Sequence, residues 1–276
     1  KNSFRIMCLG GSTTWSDGTP DSSNSYPAQL EYYLKEKGYN VNVINAGVPY
    51  HTSLDVLMRF ITKGIYFNPD MLLIHTGLND TGPSQSPFDY EPDYSHWRPV
   101  GYESNKKFIN LWISYPFSIS RLIIIFYLDF QSYPSISKQT SSYAMELIST
   151  TAITQERTVG LKNYFSSILY IAKKNNIIPV TLLINNDHSR KNSYAKRFIN
   201  EKNLSYAIER DRKITILNNS IMDSISIANN VNVIPFDKFQ PSSKEHWDDH
   251  CHLTEEGIKE KAVFIGEYLI NNFIIE

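Results

Sequence analysis

Short apolar runs rich in β-branched residues alternate along the chain with longer stretches in which apolar residues recur at helical spacing. The short runs predict five strands, at residues 4–10, 41–47, 70–77, 177–185 and 231–236. The longer stretches predict helices at residues 26–38, 53–65, 152–176, 193–230 and 254–272. Apolar strands separated by helices are typical of a parallel sheet that is covered on both faces. The pattern therefore predicts an α/β protein with the order β-α-β-α-β, a break, and then α-β-α-β-α.

Residues 81–150 interrupt this alternation. Their first part is rich in proline, serine and aromatic residues, and an apolar stretch follows at 108–130. A structureless loop of this length would be unusual in a compact domain, so we expect an insertion with some helix of its own. We interpret residues 1–276 as a single domain and 81–150 as a cap or substrate-recognition element within it. The insertion carries the aromatic residues that we expect to form one wall of a pocket, Tyr90, Tyr94, Trp97 and Tyr102.

The composition limits the classes of partner. Lys and Arg number 27 against 28 Asp and Glu, a net charge of −1 without a basic stripe, so nucleic acid is not an expected partner. The two cysteines, Cys8 and Cys251, do not make a disulfide framework. The longest apolar run is about half as long as a bilayer crossing, so we expect no transmembrane segment. The chain starts at Lys1, as it would after removal of a signal peptide or anchor, which leaves the compartment open between extracytoplasmic and cytoplasmic.

Residues suited to chemistry follow four of the five predicted strands. Ser12 comes after the first strand and two glycines, Gly47 ends the second, Asn79 follows the third, and the run DDHCHL at 248–253 follows the fifth. The carboxyl ends of parallel strands meet at one edge of the sheet, where open α/β folds bind their ligands. Taken alone, GGSTT predicts a turn or a helix N-cap, and NAG and LND predict ordinary turns. Four such stretches at one edge favour an active site.

In these four blocks the sequence resembles the SGNH hydrolases, the GDSL-like esterase/lipase superfamily. The blocks are Gly10-Gly11-Ser12, Gly47, Gly77-Leu78-Asn79-Asp80 and Asp249-His250-Cys251-His252, and they occur in the family's order over nearly the whole chain. The first block departs from the family pattern, with glycine at 11 where aspartate is usual and threonine at 13 where leucine is usual. The resemblance implies a three-layer α/β/α sandwich with a flavodoxin-like, five-stranded parallel sheet.

The resemblance also implies the roles of the site residues. Ser12 would be the nucleophile, His252 its base, and Asp249 the carboxylate that holds the imidazole in one tautomer. Asp248 is the competing carboxylate, ranked lower because the D-x-x-H spacing selects Asp249. The oxyanion hole would consist of the backbone N–H groups of Ser12 and Gly47 and the side-chain amide of Asn79. No cofactor is expected.

Three other features of the sequence bear on the site. A cluster of potential metal ligands surrounds the last block, namely His246, Asp248, Asp249, His250 and His252, but a D-x-x-H acyl-transfer block accounts for two of them without a metal, and no metal is expected. Cys251 lies beside His252, and in an extended loop their side chains would point apart. Among the aromatic residues, Trp247 and Trp97 are the candidates for substrate contact.

The sequence therefore predicts a serine-dependent esterase that removes short acyl groups, such as acetyl, from a small-molecule or glycan ester. An O-acyltransferase with the same three residues would pass through the same acyl-enzyme, so this alternative stays open. A glycan-binding module without catalysis is a further alternative. The GGSTT run lacks the glycine spacing of a dinucleotide-binding fingerprint. The oligomeric state is left open.

Overall fold

The computed structural model describes residues 3–17, 19, 21–86, 89–97, 154–190, 201–272 and 275. Five strands are present in these ranges: β1 Phe4–Gly10, β2 Val41–Gly47, β3 Met71–His75, β4 Ile178–Leu182 and β5 Asn232–Ile234. The helices are α1 Ser12–Trp15, α2 Tyr26–Glu36, α3 Ser53–Thr62, α4 Thr81–Gln85, α5 Val159–Lys174, α6 Glu201–Ala228 and α7 Glu255–Asn271. The start of the predicted helix at 193–230 lies partly outside the described residues.

The five strands form one parallel sheet in the order β2-β1-β3-β4-β5. This order confirms the predicted flavodoxin-like sheet. The register pairs Gly10, the last residue of β1, with Gly47 of β2 and with His75 of β3. The three strands therefore end at the same level, and the residues that follow them emerge together at one edge.

Helices cover both faces of the sheet. Successive side chains of a strand point to opposite faces: in β1, Ile6 and Cys8 pack into one core with α2 and α7, whereas Met7 and Leu9 pack into another. The first core contains apolar residues of both helices, Leu30, Leu34, Ile265 and Leu269. The second contains residues of α3, α5 and α6, including Phe60, Phe165 and Met222. These two cores confirm the three-layer α/β/α architecture.

Strands β3, β4 and β5 are shorter at their carboxyl ends than the sequence predicts. The apolar runs continue to 77, 185 and 236, but strand pairing stops at His75, Leu182 and Ile234. After His75 the chain turns, and Gly77 adopts φ +93°, a conformation that side chains with a Cβ rarely take. The apolar residues beyond the strands are loop residues that remain buried, such as Leu183 and Ile184.

The chain divides into two compact units, residues 1–81 with 158–276, and residues 82–157. The second unit corresponds closely to the insertion predicted at 81–150. Its two ends are joined, since Ser84 Oγ donates to the Arg157 carbonyl at 2.8 Å and Arg157 Nη1 donates to the Ser86 carbonyl at 2.8 Å. Tyr102 and the apolar stretch at 108–130 lie outside the described residues. The role of the insertion as a cap stays a prediction.

Candidate active site

Ser12 lies in a single helical turn at the end of β1. The Gly11 carbonyl accepts hydrogen bonds from the N–H groups of Thr14 and Trp15, at 3.1 and 2.9 Å, and the Ser12 carbonyl accepts from Ser16 at 2.8 Å. This turn, α1, packs against the end of β2, and Ser12 is 9% exposed. Ser12 therefore occupies a fixed position at the sheet edge.

His252 lies next to Ser12. Its Nε2 is 2.8 Å from Ser12 Oγ, and its Nδ1 is 2.7 Å from Asp249 Oδ2. The loop that carries Asp249 and His252 is closed by an antiparallel bridge between Trp247 and Leu253. Within the loop, the Asp248 N–H donates to the His252 carbonyl at 2.9 Å. The bridge and the turn bring the end of the chain over the end of β1, some 240 residues away in sequence.

Asp249, and not Asp248, presents its carboxylate to the imidazole. Asp249 Oδ1 accepts the backbone N–H groups of Cys251 and His252, both at 2.7 Å, which leaves Oδ2 to face His252 Nδ1. The side chain of Asp248 is exposed. Burial acts to raise the pKa of Asp249, but the hydrogen bonds from His252 and Cys251 outweigh it and hold that pKa well below its usual value. The carboxylate stays charged, so Nδ1 keeps its proton and Nε2 is free to accept the Ser12 proton.

The amide of Asn79 lies against the backbone that leads into Ser12. Asn79 Nδ2 donates to the His51 carbonyl at 2.9 Å, which uses one of its two N–H groups. A Cβ on Gly11 would come within 2.5 Å of the same Nδ2. Only a glycine at 11 therefore leaves room for the amide in this position. The departure from the family pattern at residue 11 thus matters for the position of this amide.

The backbone N–H of Gly47 has a partner within the protein. It donates to Asn45 Oδ1 at 3.0 Å, and Asn45 Nδ2 in turn lies 3.4 Å from the Trp15 carbonyl. A Cβ on Gly47 would lie 2.3 Å from the Trp15 nitrogen, so the close approach of α1 requires glycine here. Donation from Gly47 to a substrate oxygen would require it to leave Asn45. Its part in an oxyanion hole stays a prediction.

Comparison with known families identifies the chain. Its sequence matches the GDSL-like Lipase/Acylhydrolase family over residues 8–259. The chain belongs to this family. It is accordingly a serine ester hydrolase, as the resemblance of its four blocks implied. No curated protein matches the sequence.

Solved structures of the same fold include several ester hydrolases. The lipase/acylhydrolase from Enterococcus faecalis is 15% identical, with a TM-score of 0.54 over 98% of this chain and 96% of that one. The acetyl xylan esterase AlAXEase is 13% identical, with a TM-score of 0.54 over 96% and 100%. The esterase EstA from Pseudoalteromonas sp. is 11% identical, with a TM-score of 0.51 over 99% and 100%. At these identities the likeness concerns the fold.

Asp80, the last residue of the third GDSL block, binds the start of α3. It is fully buried, and its carboxylate accepts the Ser53 N–H at 3.0 Å as well as the Ser53 hydroxyl. Negative charge is favourable at a helix N-terminus. Asp80 therefore fixes the turn that carries Asn79 rather than entering the reaction site itself.

The two tryptophans predicted to contact substrate lie in different surroundings. Trp247 is only 5% exposed and belongs to the core beside α7. This burial does not favour contact with a substrate. Trp97, in the second unit, is 38% exposed and packs its ring on Gly82. Two other aromatic residues are more exposed near the turn that carries Ser12 and the end of β2, namely Trp15 at 50% and Tyr50 at 82%.

A metal-ligand geometry is present but its nitrogen donors are occupied. Among the described residues, ligand atoms of Asp249, Cys251 and His252 lie within 4.8 Å of one another. The two ring nitrogens of His252 already face Asp249 and Ser12, so a metal would have to displace one of them. The expectation that Cys251 points away from His252 was wrong, since its Sγ lies 3.5 Å from Nδ1. Neither Cys251 nor Cys8 forms a disulfide.

In the described part of the chain, no helix combines the length and the apolar character needed to cross a bilayer.

A small cavity adjoins His252. It has a volume of about 10 Å³ and is lined by Thr13, Trp247 and Lys261 among others. This volume has room for about one water molecule.

Proposed function

We propose that this GDSL-family enzyme hydrolyses short acyl esters, such as acetyl esters of a carbohydrate, with Ser12 as nucleophile. The observation that carries the proposal is the continuous contact from Ser12 Oγ to His252 Nε2, and from His252 Nδ1 to Asp249 Oδ2, at 2.8 and 2.7 Å. A serine hydroxyl is a weak nucleophile at neutral pH, and a base in this position activates it.

The reaction would proceed in two acyl-transfer steps. Ser12 Oγ attacks the ester carbonyl while its proton passes to His252 Nε2, and Asp249 stabilises the imidazolium that forms. The tetrahedral intermediate collapses to the acyl-enzyme, and the proton on Nε2 leaves with the alcohol. Water then loses a proton to His252 and attacks the acyl carbon, and collapse releases the acid and returns the proton to Ser12.

The oxyanion of each intermediate requires donors aimed at it. The Ser12 N–H is at the start of α1, and the second N–H of the Asn79 amide lies against the same turn. The Gly47 N–H would complete the set after exchange of Asn45 for the substrate oxygen. Ser12 and Asn79 thus supply the first two donors of the proposal.

The acetyl group of the proposal rests on a protein of the same fold, and the sugar alcohol rests on exposed aromatic side chains. Trp15 and Tyr50 expose large aromatic surfaces close to the turn, and such surfaces stack on sugar rings. One protein of the same fold is named an acetyl xylan esterase, which supports the same substrate class.

Labelling with a fluorophosphonate tests the nucleophile. Mass spectrometry should place a single adduct on Ser12, and Ser12→Ala should abolish both labelling and turnover of p-nitrophenyl acetate. Ser22→Ala, which changes an exposed serine, is the matched control and should behave as wild type. An adduct on Cys251 or on another serine would contradict the assignment.

Rates on p-nitrophenyl esters of increasing acyl length test the acyl group. We expect kcat/KM to be highest for acetate and to fall steeply by octanoate. For the alcohol, acetate release from an acetylated oligosaccharide should be reduced more by Trp15→Ala than turnover of p-nitrophenyl acetate. Transfer of acetyl to an added glycan in place of acetate release would identify an acyltransferase instead.

A further inference from the structure

Lys261 is a buried amine that neither the sequence analysis nor the proposed reaction uses. It lies on α7, is 2% exposed, and has no carboxylate partner among the described residues. Burial lowers the pKa of Lys261 to about 7, because an ammonium loses its hydration there. A buried group this costly needs a reason other than packing, since an apolar side chain would fill the same space at lower cost.

The amine points at the nucleophile's turn. Lys261 Nζ donates to the carbonyl of Thr13, the residue after Ser12, at 3.0 Å. A helix of one turn leaves its last carbonyls without N–H partners, and a lysine can satisfy them. Here the lysine comes from α7, about 250 residues further along the chain. The turn is thereby connected to the helix that follows the loop of Asp249 and His252.

A second contact connects the amine to β3. Lys261 Nζ lies 3.3 Å from His75 Nδ1, and because the charged form of lysine only donates, Nδ1 accepts from that form. Burial, and then the charge of Lys261, lower the pKa of His75 well below its usual value, so the imidazole is neutral. The rings of Tyr26 and Phe236, at 4.1 and 5.0 Å from Nζ, stabilise the positive charge.

We propose that Lys261 is a positioning residue for the nucleophile, whose hydrogen bonds to the Thr13 carbonyl and His75 hold Ser12 Oγ in reach of His252. This proposal rests on the proposed function of Ser12. Lys261 does not touch the reacting atoms. It acts through the backbone of α1, which Ser16 also connects to α2 by accepting the Tyr26 N–H at 2.9 Å.

Lys261→Met tests the proposal, because methionine has a similar length but no donor. We expect kcat to fall about 10- to 100-fold with KM within about twofold, since a small displacement of a nucleophile has an effect of this size. The melting temperature should stay the same or rise. Lys259→Met, on the same helix but half-exposed and paired with Glu256, is the matched control and should leave kcat unchanged.

Fluorophosphonate labelling separates positioning from simple loss of folded protein. If Lys261 positions Ser12, the variant should label to full stoichiometry at a rate reduced by the same factor as kcat. A normal rate with reduced stoichiometry would mean that the residue only supports folding, and a normal rate with full stoichiometry would mean that it has no role. Either result overturns the proposal.

Lys261→Gln provides a second variant should the methionine substitution prevent folding. It keeps an N–H donor, but the shorter side chain places that donor further from the Thr13 carbonyl. The labelling rate of this variant should therefore be lower than that of the wild type. A wild-type rate in that variant would contradict the proposal. Failure of the wild-type enzyme itself to label at Ser12 would overturn the proposed function, and the positioning role with it.

Discussion

Two histidines flank the turn that carries Ser12, and their neighbours have opposite charges. His252 is part-buried and has the carboxylate of Asp249 at one ring nitrogen. His75 is 4% exposed and has the ammonium of Lys261 at one ring nitrogen. The first imidazole faces a negative charge, whereas burial and the charge of Lys261 hold the pKa of the second well below its usual value.

The difference shows how environment assigns a role to the same side chain. A general base must accept a proton during the reaction, so it needs a nearby negative charge and access to the substrate. A histidine that serves only as a hydrogen-bond acceptor must resist protonation, and burial beside a cation achieves this. Residue type alone would not separate His252 from His75.

Asparagine substitution at both histidines should give the largest contrast. His252→Asn removes the proposed base, so we expect turnover of p-nitrophenyl acetate to fall by about 10⁴-fold or more. His75→Asn keeps an acceptor, Oδ1, for Lys261, so turnover per folded molecule should fall less than about tenfold. Thermal unfolding measures the folded fraction of each variant. Similar losses of turnover in both variants would show that the two histidines do not have different roles.

Asn substitution at the two adjacent aspartates tests the neighbour of His252. Asp249→Asn should reduce turnover by about 10³–10⁴-fold, because an amide cannot fix the same tautomer. Asp248→Asn should leave turnover nearly unchanged, since that side chain is exposed. The reverse order would show that the loop turns differently, and small effects in both would indicate a serine-histidine pair without a carboxylate.

Substitutions at Asn79 and Gly11, where the amide lies against the turn, should reduce kcat by a smaller factor. Asn79→Ala removes a proposed oxyanion donor and should reduce kcat by about 10²–10³-fold. Gly11→Ala should reproduce part of this loss, because its Cβ would lie 2.5 Å from Asn79 Nδ2 and displace the amide. Steady-state kinetics of both variants on p-nitrophenyl acetate check this. A fully active Gly11→Ala enzyme would mean that the amide of Asn79 is not needed where it lies.

The smallest expected effect is on the stability of the protein and on its pH dependence, and it is measured in the Lys261→Met variant. The pKa of lysine is about 10.5 in the unfolded chain, and burial lowers the pKa of Lys261 to about 7 in the folded protein. Below pH 7 the Lys261 amine is charged in both the folded and the unfolded state. The cost of burying that charge then lowers the free energy of unfolding in full. Between these values the unfolded state binds more protons, so the stability of the wild type rises with pH. Lys261→Met should therefore raise the melting temperature most at pH 6, by a few degrees, and less at pH 9.

The Cys8 thiol, whose pKa burial raises to about 12, stays protonated from pH 6 to 9, whereas the pKa of His75 is lowered partly by the charge of Lys261 and should rise in the variant. Lys259→Met should show no such dependence on pH. Calorimetry across pH 6 to 9 measures both. A gain that grows with pH would show that the buried amine is stabilising in its charged form.

Much of the fold follows from the sequence because apolar runs and helical spacing report burial directly. The parallel sheet and its helices are confirmed, and the D-x-x-H spacing brings Asp249 and His252 to Ser12. The ends of the strands are less accurate, because pairing depends on where a neighbour stops. Residues 76–77 and 183–184 are buried beyond the ends of their strands.

The missed contacts involve partners that no sequence pattern encodes. Lys261 occupies the apolar face of α7 with Ile258 and Ile265, a visible anomaly, but its acceptor is a backbone carbonyl far away in the chain. Likewise, Cys251 faces His252 because the loop turns, with the N–H groups of Asp248 and Asp249 both directed at the His252 carbonyl. An extended loop, as assumed from the sequence, would have separated them.

The two ends of the second unit are joined by hydrogen bonds, so this segment is suited to replacement. Because Ser84 and Ser86 hydrogen-bond to Arg157, the chain leaves and returns at nearly one place, whatever lies between. Closing such a gap with a short linker costs little chain entropy. The segment could therefore be replaced by a few residues, or by the equivalent segment of another esterase, while the strand order that presents Ser12 stays the same. Differences among such chimaeras would then report what the inserted residues contribute to substrate choice.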